Sequence, residues 1–294
     1  MPEVVPEISV GDRLFAALQY VLPKHALSRM VHRVMRNESP LVKRLIITNF
    51  LRGYRVNMAE AQQSDPLAFR SFNDFFTRAL RADARPVSME PDTIVSPVDG
   101  TVSQCAPIHA DALIQAKGRA YALNELLAGD TESAGAYRDG SFACIYLAPY
   151  NYHRIHMPFG GSLRSTVYVP GDLFSVNAAT ARAVPRLFAR NERVICDFDT
   201  TIGRMAVILV GALFVGSMET VYSGEINPPP RPRRGVYPIP KGVGQEFLKG
   251  AELGRFNMGS TVVLLFQRDC VTWENTVVPQ ATMRLGQVIS RARS

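Results

Sequence analysis

Beyond Pro86 the chain is a succession of short β-rich runs separated by glycine and proline, and no other feature constrains its fold as much. Helical signals are sparse in this part and occur mainly in ATARAVPRLFAR at 179–190. Short strands bounded by turn residues are typical of antiparallel sheets, so the sequence predicts a mostly antiparallel β core. The runs are TIVSPVDGTVSQ, SFACIYLAP, LRSTVYVPG, RVICDFDT, RMAVILVGALFVGSMETVYSG and STVVLLFQ.

Two of these runs are apolar enough to be buried. The longest uncharged run, from Met205 to Met218, is too short to span a bilayer and is interrupted by glycine, so it predicts a buried pair of strands. The run STVVLLF at 260–266 also predicts a buried strand, which the chain enters through the turn Gly259-Ser260-Thr261.

The segment from Gly11 to about Met58 differs from the rest, because its apolar residues recur at helical spacing. Pro23 and Pro40 divide it into roughly three amphipathic helices whose polar faces are basic. The apolar stripes consist of Leu14, Leu18, Val21, Leu22, Leu27, Met30, Val31, Val34, Met35, Ile47, Phe50, Leu51 and Tyr54.

A further helix is predicted over LAFRSFNDFFTRAL at 67–80, with Ser64-Asp65-Pro66 as its start. The fold class is therefore α+β. An N-terminal region of basic amphipathic helices at 1–63 precedes a mostly antiparallel β core at 64–294, with a soft division between them.

The charge balance favours an anionic partner. Lysine and arginine number 33 against 26 aspartate and glutamate residues, which gives a net charge of +7 and fits a nucleic acid, a membrane surface or an acidic substrate. Basic amphipathic helices can lie in a membrane interface or pack as a bundle on their own domain, and the pattern leaves both open. The sequence contains no nucleic-acid-binding motif, and its four separated cysteines indicate neither a zinc site nor a disulfide framework.

Three short stretches carry residues that could perform chemistry. They are SPVDG with Asp99, YNYHRIHMP with His153 and His156, and the turn with Ser260. Each has a structural alternative: a hairpin turn at Asp-Gly, a pair of edge histidines, and an ordinary turn serine. Together they supply the carboxylate, imidazole and hydroxyl that can activate a serine, but no G-x-S-x-G motif is present and the residues leave the reaction open.

Longer sequence motifs narrow the range of possible functions. FNDFFTRAL with RPV, SPVDGTV, YHRIHMP, VGALFVGSMETVYSGEI and KGAELGRFNMGSTVVLLF occur in this order, and with them the chain resembles the phosphatidylserine decarboxylases, pyruvoyl-dependent membrane enzymes, in their prokaryotic proenzyme form. The resemblance covers about Phe69 to Phe266. Met258 stands where the family pattern usually has leucine, a volume-conserving change that leaves the expected cleavage in place. The Pro/Arg-rich loop at 227–242 has no match in the pattern.

The resemblance implies a self-made cofactor. Ser260 would attack the Gly259 carbonyl, and the chain would separate into a β chain, 1–259, and an α chain, 260–294, whose first residue becomes a pyruvoyl group. Asp99 would orient His156 as the general base of this cleavage, and His153 would assist decarboxylation or reprotonation. The pyruvoyl group would form a Schiff base with phosphatidylserine and release CO2 to give phosphatidylethanolamine, with no metal.

The resemblance also implies a cellular location, binding partners and an oligomeric state. The N-terminal helices would dock peripherally on the cytoplasmic side of the cell membrane, where phosphatidylserine and an anionic surface are the partners, and similar enzymes suggest a homodimer. The loop arginines Arg231, Arg233 and Arg234 would meet headgroup phosphates or lie in a solvated loop. Two rival functions are a serine hydrolase using Asp99, His156 and Ser260, and a non-enzymatic basic module that binds membranes or nucleic acid.

Overall fold

The computed structural model describes residues 9–116, 119–214, 217–226 and 234–293. Three helices form the start of the described chain, as the apolar periodicity predicts: α1 Val10–Val21, α2 Lys24–Met35 and α3 Pro40–Gly53. Ser9 caps α1 by accepting a hydrogen bond from the Asp12 backbone N–H, at 3.0 Å. Proline separates α1 from α2 and occupies the first turn of α3, where its missing N–H costs no helical hydrogen bond.

The predicted helix over 67–80 is wrong in its extent. The helix α4 spans only Phe72–Phe76, and a short 3-10 helix at Met58–Glu60 precedes it. The Asp65 side chain accepts from the Leu67 N–H at 2.9 Å and so closes a local turn instead of starting a helix. Ser71 is the actual cap, because its hydroxyl accepts from the Asp74 N–H at 3.2 Å.

The remaining helices are short and lie between strands. Two of them, separated by Pro185 and Arg186, confirm the helical signal at 179–190, and Arg186 takes a left-handed φ of 55° at the break. These helices are α5 Leu123–Leu126, α6 Thr131–Tyr137, α7 Ala178–Ala183 and α8 Leu187–Arg190.

The other regular elements are antiparallel strands, which confirm the predicted β core. The strands are β1 Thr93–Val95, β2 Gly100–Pro107, β3 Ala112–Ala116, β4 Arg119–Ala122, β5 Ser141–Tyr146, β6 Arg154–His156, β7 Gly161–Val169, β8 Arg193–Thr200, β9 Gly203–Val210, β10 Met218–Thr220, β11 Gly224–Glu225, β12 Tyr237–Pro238, β13 Glu246–Phe247, β14 Glu252–Phe256, β15 Thr261–Phe266, β16 Val271–Trp273, β17 Thr282–Met283 and β18 Val288–Ala292.

The largest sheet has the order β12-β7-β8-β9-β15-β5-β2-β17, with β13 also paired to β7. A second sheet has the order β11-β10-β14-β6, a third β1-β18-β16, and β3 pairs with β4. The strand β15 lies in the middle of the largest sheet and is buried along its whole length, which confirms the prediction for STVVLLF. Its alternate residues enter two hydrophobic clusters, one on each face of the sheet.

The run Met205–Met218 does contain two strands, but they are not a pair. It supplies most of β9, which lies beside β15 in the largest sheet, and the start of β10, which belongs to the second sheet. Each strand has one partner nearby in the chain, β8 for β9 and β11 for β10, and one distant partner, β15 for β9 and β14 for β10. Periodicity alone cannot specify the distant partners. Within the described residues, no helix is both long enough and apolar enough to cross a membrane.

Candidate active site

The end of strand β5 brings Asp99 and Ser260 to the same region of the fold. Thr101 of β2 and Thr261 of β15 both pair with Tyr146 of β5, one from each side. Asp99 and Ser260 precede these two threonines and so lie on either side of the chain that leaves β5. The predicted hairpin turn at Asp99-Gly100 is absent from this described segment, because Gly100 is the first residue of β2.

Gly100 is needed at this position by its packing. A Cβ atom there would lie only 2.6 Å from the Tyr146 carbonyl oxygen and 2.7 Å from the Ile145 side chain. The backbone of β2 therefore approaches β5 closely only because residue 100 has no side chain. This contact fixes the start of β2 and, with it, the position of Asp99.

The histidine-bearing segment crosses the same region. The His156 backbone N–H donates to the Pro97 carbonyl at 2.9 Å, just before Asp99 in the chain. On the other side, the Phe256 N–H donates to the His153 carbonyl at 3.0 Å, shortly before Ser260. Strand β6 and the residues around it thus connect the Asp99 segment with the Ser260 segment.

Ser260 is fully buried at 0% exposure, and its hydroxyl oxygen has no hydrogen-bond partner. Its carbonyl accepts from the Leu147 N–H at 2.9 Å, which anchors the start of β15. Two residues earlier, Met258 has a φ of 104°, a conformation that costs a non-glycine residue on the order of 1–3 kcal/mol. The bond between Gly259 and Ser260 therefore lies between a strained residue and a rigid strand.

His153 lies beside Gly259. A Cβ atom built on that glycine would be 3.5 Å from His153 Nε2, and this nitrogen is buried without a partner. The other ring nitrogen, Nδ1, donates to the Asn151 carbonyl at 2.9 Å, so in the neutral ring Nε2 carries the free lone pair. Burial, together with the charge of Arg78, lowers the pKa of His153 to about 3 and keeps the ring neutral.

The ring of Phe76 holds His153 in this position. Their ring centroids are 4.0 Å apart and their planes are inclined by 37°. Phe76 belongs to a buried aromatic cluster with Phe72, Phe75 and Ile47, against which Met258 also packs. Helices α3 and α4 therefore support the histidine from the side of the N-terminal region.

His156 makes different contacts. Its Nδ1 donates to the Gly250 carbonyl at 2.8 Å, and its Nε2 is 3.1 Å from the Tyr152 hydroxyl. Burial lowers the pKa of His156, and the charges of Glu252 and Asp99 oppose this shift. Among the described residues, His156 makes no hydrogen bond to Asp99 or Ser260, so hydrogen bonds do not link the three residues of the predicted triad in this form of the chain.

Asp99 is buried and is held by Arg85, a residue that sequence reasoning did not single out. Arg85 donates to both carboxylate oxygens, with Nε at 2.9 Å and Nη2 at 2.6 Å, and Nη2 also lies 2.8 Å from Glu60. The Leu285 N–H donates to the same carboxylate at 2.9 Å. The only sequence signal for Arg85 was its place in the string RPV.

The other predicted residues lie elsewhere or outside the described chain. Arg234 is exposed, whereas Arg231 and Arg233 fall outside the described residues. In the ranges given above, no group of three or more His, Cys, Asp and Glu side chains is arranged to hold a metal ion. The four cysteines, Cys105, Cys144, Cys196 and Cys270, are free.

Comparison with known proteins gives consistent matches over nearly the whole chain. A family profile described as Phosphatidylserine decarboxylase matches residues 72–291, and a second one described as PSD matches residues 14–55. The chain is 49% identical to the phosphatidylserine decarboxylase proenzyme of Azotobacter vinelandii over 282 residues, 96% of this chain and 99% of that protein. It is 54% identical over 254 residues to the proenzyme of the same name from Alkalilimnicola ehrlichii, covering 86% and 88% of the two chains.

Proposed function

The chain belongs to the phosphatidylserine decarboxylase family and is a carboxy-lyase, and on this premise we propose that it cleaves itself at Gly259–Ser260 and decarboxylates phosphatidylserine to phosphatidylethanolamine. One observation carries the proposal: the buried Ser260 hydroxyl has no partner and belongs to a junction flanked by the strained Met258 and the free Nε2 of His153. Release of CO2 from phosphatidylserine vesicles by the purified, processed protein tests it.

The cleavage uses groups of this chain alone. Ser260 Oγ attacks the Gly259 carbonyl carbon while its proton passes to His156, and the C–N bond breaks to leave an ester and a free amine. Loss of the Ser260 α proton then expels the Gly259 carboxylate and leaves dehydroalanine at residue 260. The dehydroalanine enamine becomes an imine, and addition of water with loss of ammonia converts it into a pyruvoyl group.

The charges around the two histidines support His156 as the base. Asp99 favours the protonated form of His156, which is the form that a base reaches when it takes the serine proton. Arg78 disfavours the protonated form of His153, whose pKa of about 3 makes it a poor proton acceptor at neutral pH. Alignment of His156 with Ser260 requires a side-chain movement, and catalytic hydrogen bonds often tighten only in the reacting complex.

The residues at the start of β15 fit a pyruvoyl group. Residue 260 is fully buried and is tied to Leu147 through its carbonyl, so the new terminus stays in place after cleavage. The unpartnered Nε2 of His153 is a polar atom that a group at this position can use. A bound pyruvoyl ketone supplies the electron sink that decarboxylation of an amino acid headgroup needs. His153 assists decarboxylation or the return of a proton.

The pKa of His156 predicts how processing depends on pH. Cleavage needs the neutral base, and burial lowers the pKa of this histidine below its usual 6.5. The rate should therefore rise with pH only in the acidic range and be flat from about pH 7 to 8.5. Asp99→Asn removes a charge that raises this pKa, so the midpoint should move to lower pH. Gel analysis of freshly synthesised precursor measures both, and a rate that climbs steeply above pH 7 contradicts the assignment.

The first helix supports peripheral docking of this protein on the cytoplasmic side of a membrane. Two of its polar residues face the protein: Gln19 is 1% exposed and donates to the Thr180 hydroxyl at 3.2 Å, and Asp12 accepts from Arg182 at 2.9 Å. Its large apolar residues face outward, with Leu14 66% and Leu18 54% exposed. Such an orientation leaves the apolar stripe free to enter a lipid interface. Further exposed apolar side chains on the three helices are Val10, Val21, Met30, Val34, Leu41 and Leu45.

If α1 docks on the membrane, replacing its exposed leucines should impair membrane binding without impairing catalysis. Replacing both Leu14 and Leu18 with Asp should weaken binding to anionic phospholipid vesicles about 10²- to 10⁴-fold, because burial of each leucine is worth about 1.5–3 kcal/mol. Turnover of a short-chain, soluble phosphatidylserine should not change. Val278→Asp adds one negative charge at another exposed apolar residue, 49% exposed, and is the control for each single leucine replacement. Vesicle sedimentation measures binding, and unchanged binding of the double variant would refute docking through α1.

A further inference from the structure

Arg78, which follows helix α4, is a buried arginine whose hydrogen-bonding groups are largely unused. It is 4% exposed, and neither Nε nor Nη1 has a hydrogen-bond partner. Nη2 has one long contact, 3.4 Å to the Tyr150 carbonyl. Among the described residues, no carboxylate lies within ion-pair distance of this guanidinium. A buried cation that keeps free N–H groups is costly unless a ligand supplies the acceptors.

Arg193 shows how this protein satisfies a buried arginine for structural purposes. It is 3% exposed, and all three of its nitrogens donate to carbonyl oxygens. The contacts are Nε to Leu126 at 2.6 Å, Nη1 to Ala189 at 2.6 Å and Nη2 to Glu125 at 2.7 Å. The fold therefore provides carbonyl acceptors for all three nitrogens of Arg193, whereas Arg78 has only its one long contact to a carbonyl.

The unused guanidinium lies next to the proposed reaction site. Phe76, two residues before Arg78, stacks on His153, and the charge of Arg78 is one cause of the lowered pKa of that histidine. Burial lowers the pKa of Arg78 itself, while the charge of Asp99 opposes the shift. Asp99 does not supply the missing acceptor: it makes no hydrogen bond to Arg78, and its contacts are to Arg85 and the Leu285 N–H.

We propose that Arg78 binds the phosphodiester of the phosphatidylserine headgroup, an inference that rests on the proposed function. Guanidinium N–H groups form strong charge-assisted hydrogen bonds with phosphate oxygens. In this substrate the phosphodiester is only a few bonds from the amine that must reach residue 260. An anion held by Arg78 therefore places the amino acid part of the headgroup toward His153 and the start of β15.

The phosphodiester suits Arg78 better than the substrate carboxylate does. The carboxylate loses its charge as CO2 leaves, so a tight ion pair with it would stabilise the ground state and oppose the reaction. The phosphodiester keeps its charge throughout, and binding it contributes equally to the ground state and the transition state. Loss of Arg78 should therefore raise KM much more than it lowers kcat.

The mature protein is the right material for a test. In the uncut chain Met258 packs on the aromatic cluster next to Arg78, and Arg78 is covered. Cleavage turns the residues before Ser260 into a free chain end, which can move away from this cluster. Processing of each variant is confirmed by intact mass before ligands are added.

The test compares Arg78→Gln with wild type for two small ligands. Glycerophosphoethanolamine carries the phosphodiester without a carboxylate, and L-serine carries the carboxylate without a phosphate. Arg78→Gln should raise the inhibition constant of glycerophosphoethanolamine about 10- to 100-fold and remove the rise in Tm that this ligand causes, as loss of charged hydrogen bonds predicts. The constant for L-serine should stay the same. Arg268→Gln, at an exposed arginine beyond the far end of β15, is the charge-matched control.

Each outcome decides the inference. A loss confined to glycerophosphoethanolamine supports it, whereas an equal loss for both ligands, a loss for L-serine alone, or no loss overturns it. If Arg78→Gln does not fold, Arg78→Lys keeps the charge and should give the same pattern with a smaller loss. The wild-type protein tests the proposed function separately: if it releases CO2 from phosphatidylserine and Arg78→Gln binds both ligands normally, only the role of Arg78 fails.

Discussion

Ser260→Ala should yield a single intact chain of 294 residues with no measurable decarboxylase activity. Without the hydroxyl, nothing attacks the Gly259 carbonyl, and alanine cannot be converted into a pyruvoyl group. The fold should persist, because the hydroxyl has no hydrogen-bond partner and the anchoring bond to Leu147 uses the backbone carbonyl. Gel electrophoresis and intact mass measure cleavage, and CO2 release from vesicles measures activity.

Thr261 offers a matched control, since its buried hydroxyl oxygen also has no partner. Thr261→Val removes that hydroxyl and keeps a β-branched side chain in the strand, so the chain should still be cut. Cleavage of Ser260→Ala into the two expected chains would show that another group breaks the peptide bond. An uncut Ser260→Ala that still releases CO2 would show that decarboxylation does not depend on residue 260.

The two histidines should separate cleavage from turnover. His156→Gln should leave the precursor uncut, with processing slowed about 10²- to 10⁴-fold, because the serine loses its general base. His153→Gln should be cut into two chains and carry the α-keto terminus, yet decarboxylate about 10²- to 10⁴-fold more slowly. Intact mass reports the first property and CO2 release the second.

This pair of variants is a demanding test, because the free Nε2 of His153 lies beside Gly259 while both ring nitrogens of His156 have other partners. If His153→Gln stays uncut and His156→Gln is processed normally, the two roles are exchanged. Tyr152→Phe is a useful companion variant. It removes the hydroxyl at His156 Nε2 and should leave cleavage active, since the nitrogen then becomes free to accept the serine proton.

Local sequence patterns predicted the elements whose formation depends on neighbouring residues. The three N-terminal helices follow from apolar spacing and from Pro23 and Pro40, and β15 follows from its apolar run. The sequence placed a possible nucleophile at Ser260, in the turn that enters this strand. These features need no knowledge of distant partners, because periodicity and proline act within a few residues.

Features that depend on distant contacts could not be predicted in this way. Gly100 looked like half of a hairpin turn, but it opens β2 because β5 approaches it too closely for a side chain. The strands β9 and β10 adjoin in sequence and belong to different sheets. Arg85 pairs with Asp99, 14 residues further along the chain, and no pattern of residue spacing predicts such a contact. The outward-facing stripe of α1 also needed the structure, because the helical pattern alone fitted a packed bundle equally well.

The intact mass of the purified wild-type protein shows whether the chain cuts itself and converts residue 260 into a pyruvoyl group. We expect two chains, 1–259 and 260–294, with the second lighter by one ammonia than the same peptide beginning with serine. A carbonyl-reactive hydrazide should label only this second chain. If the protein releases CO2 from phosphatidylserine as one uncut chain, or with an unmodified serine at the start of the second chain, its activity does not depend on self-cleavage and a pyruvoyl group.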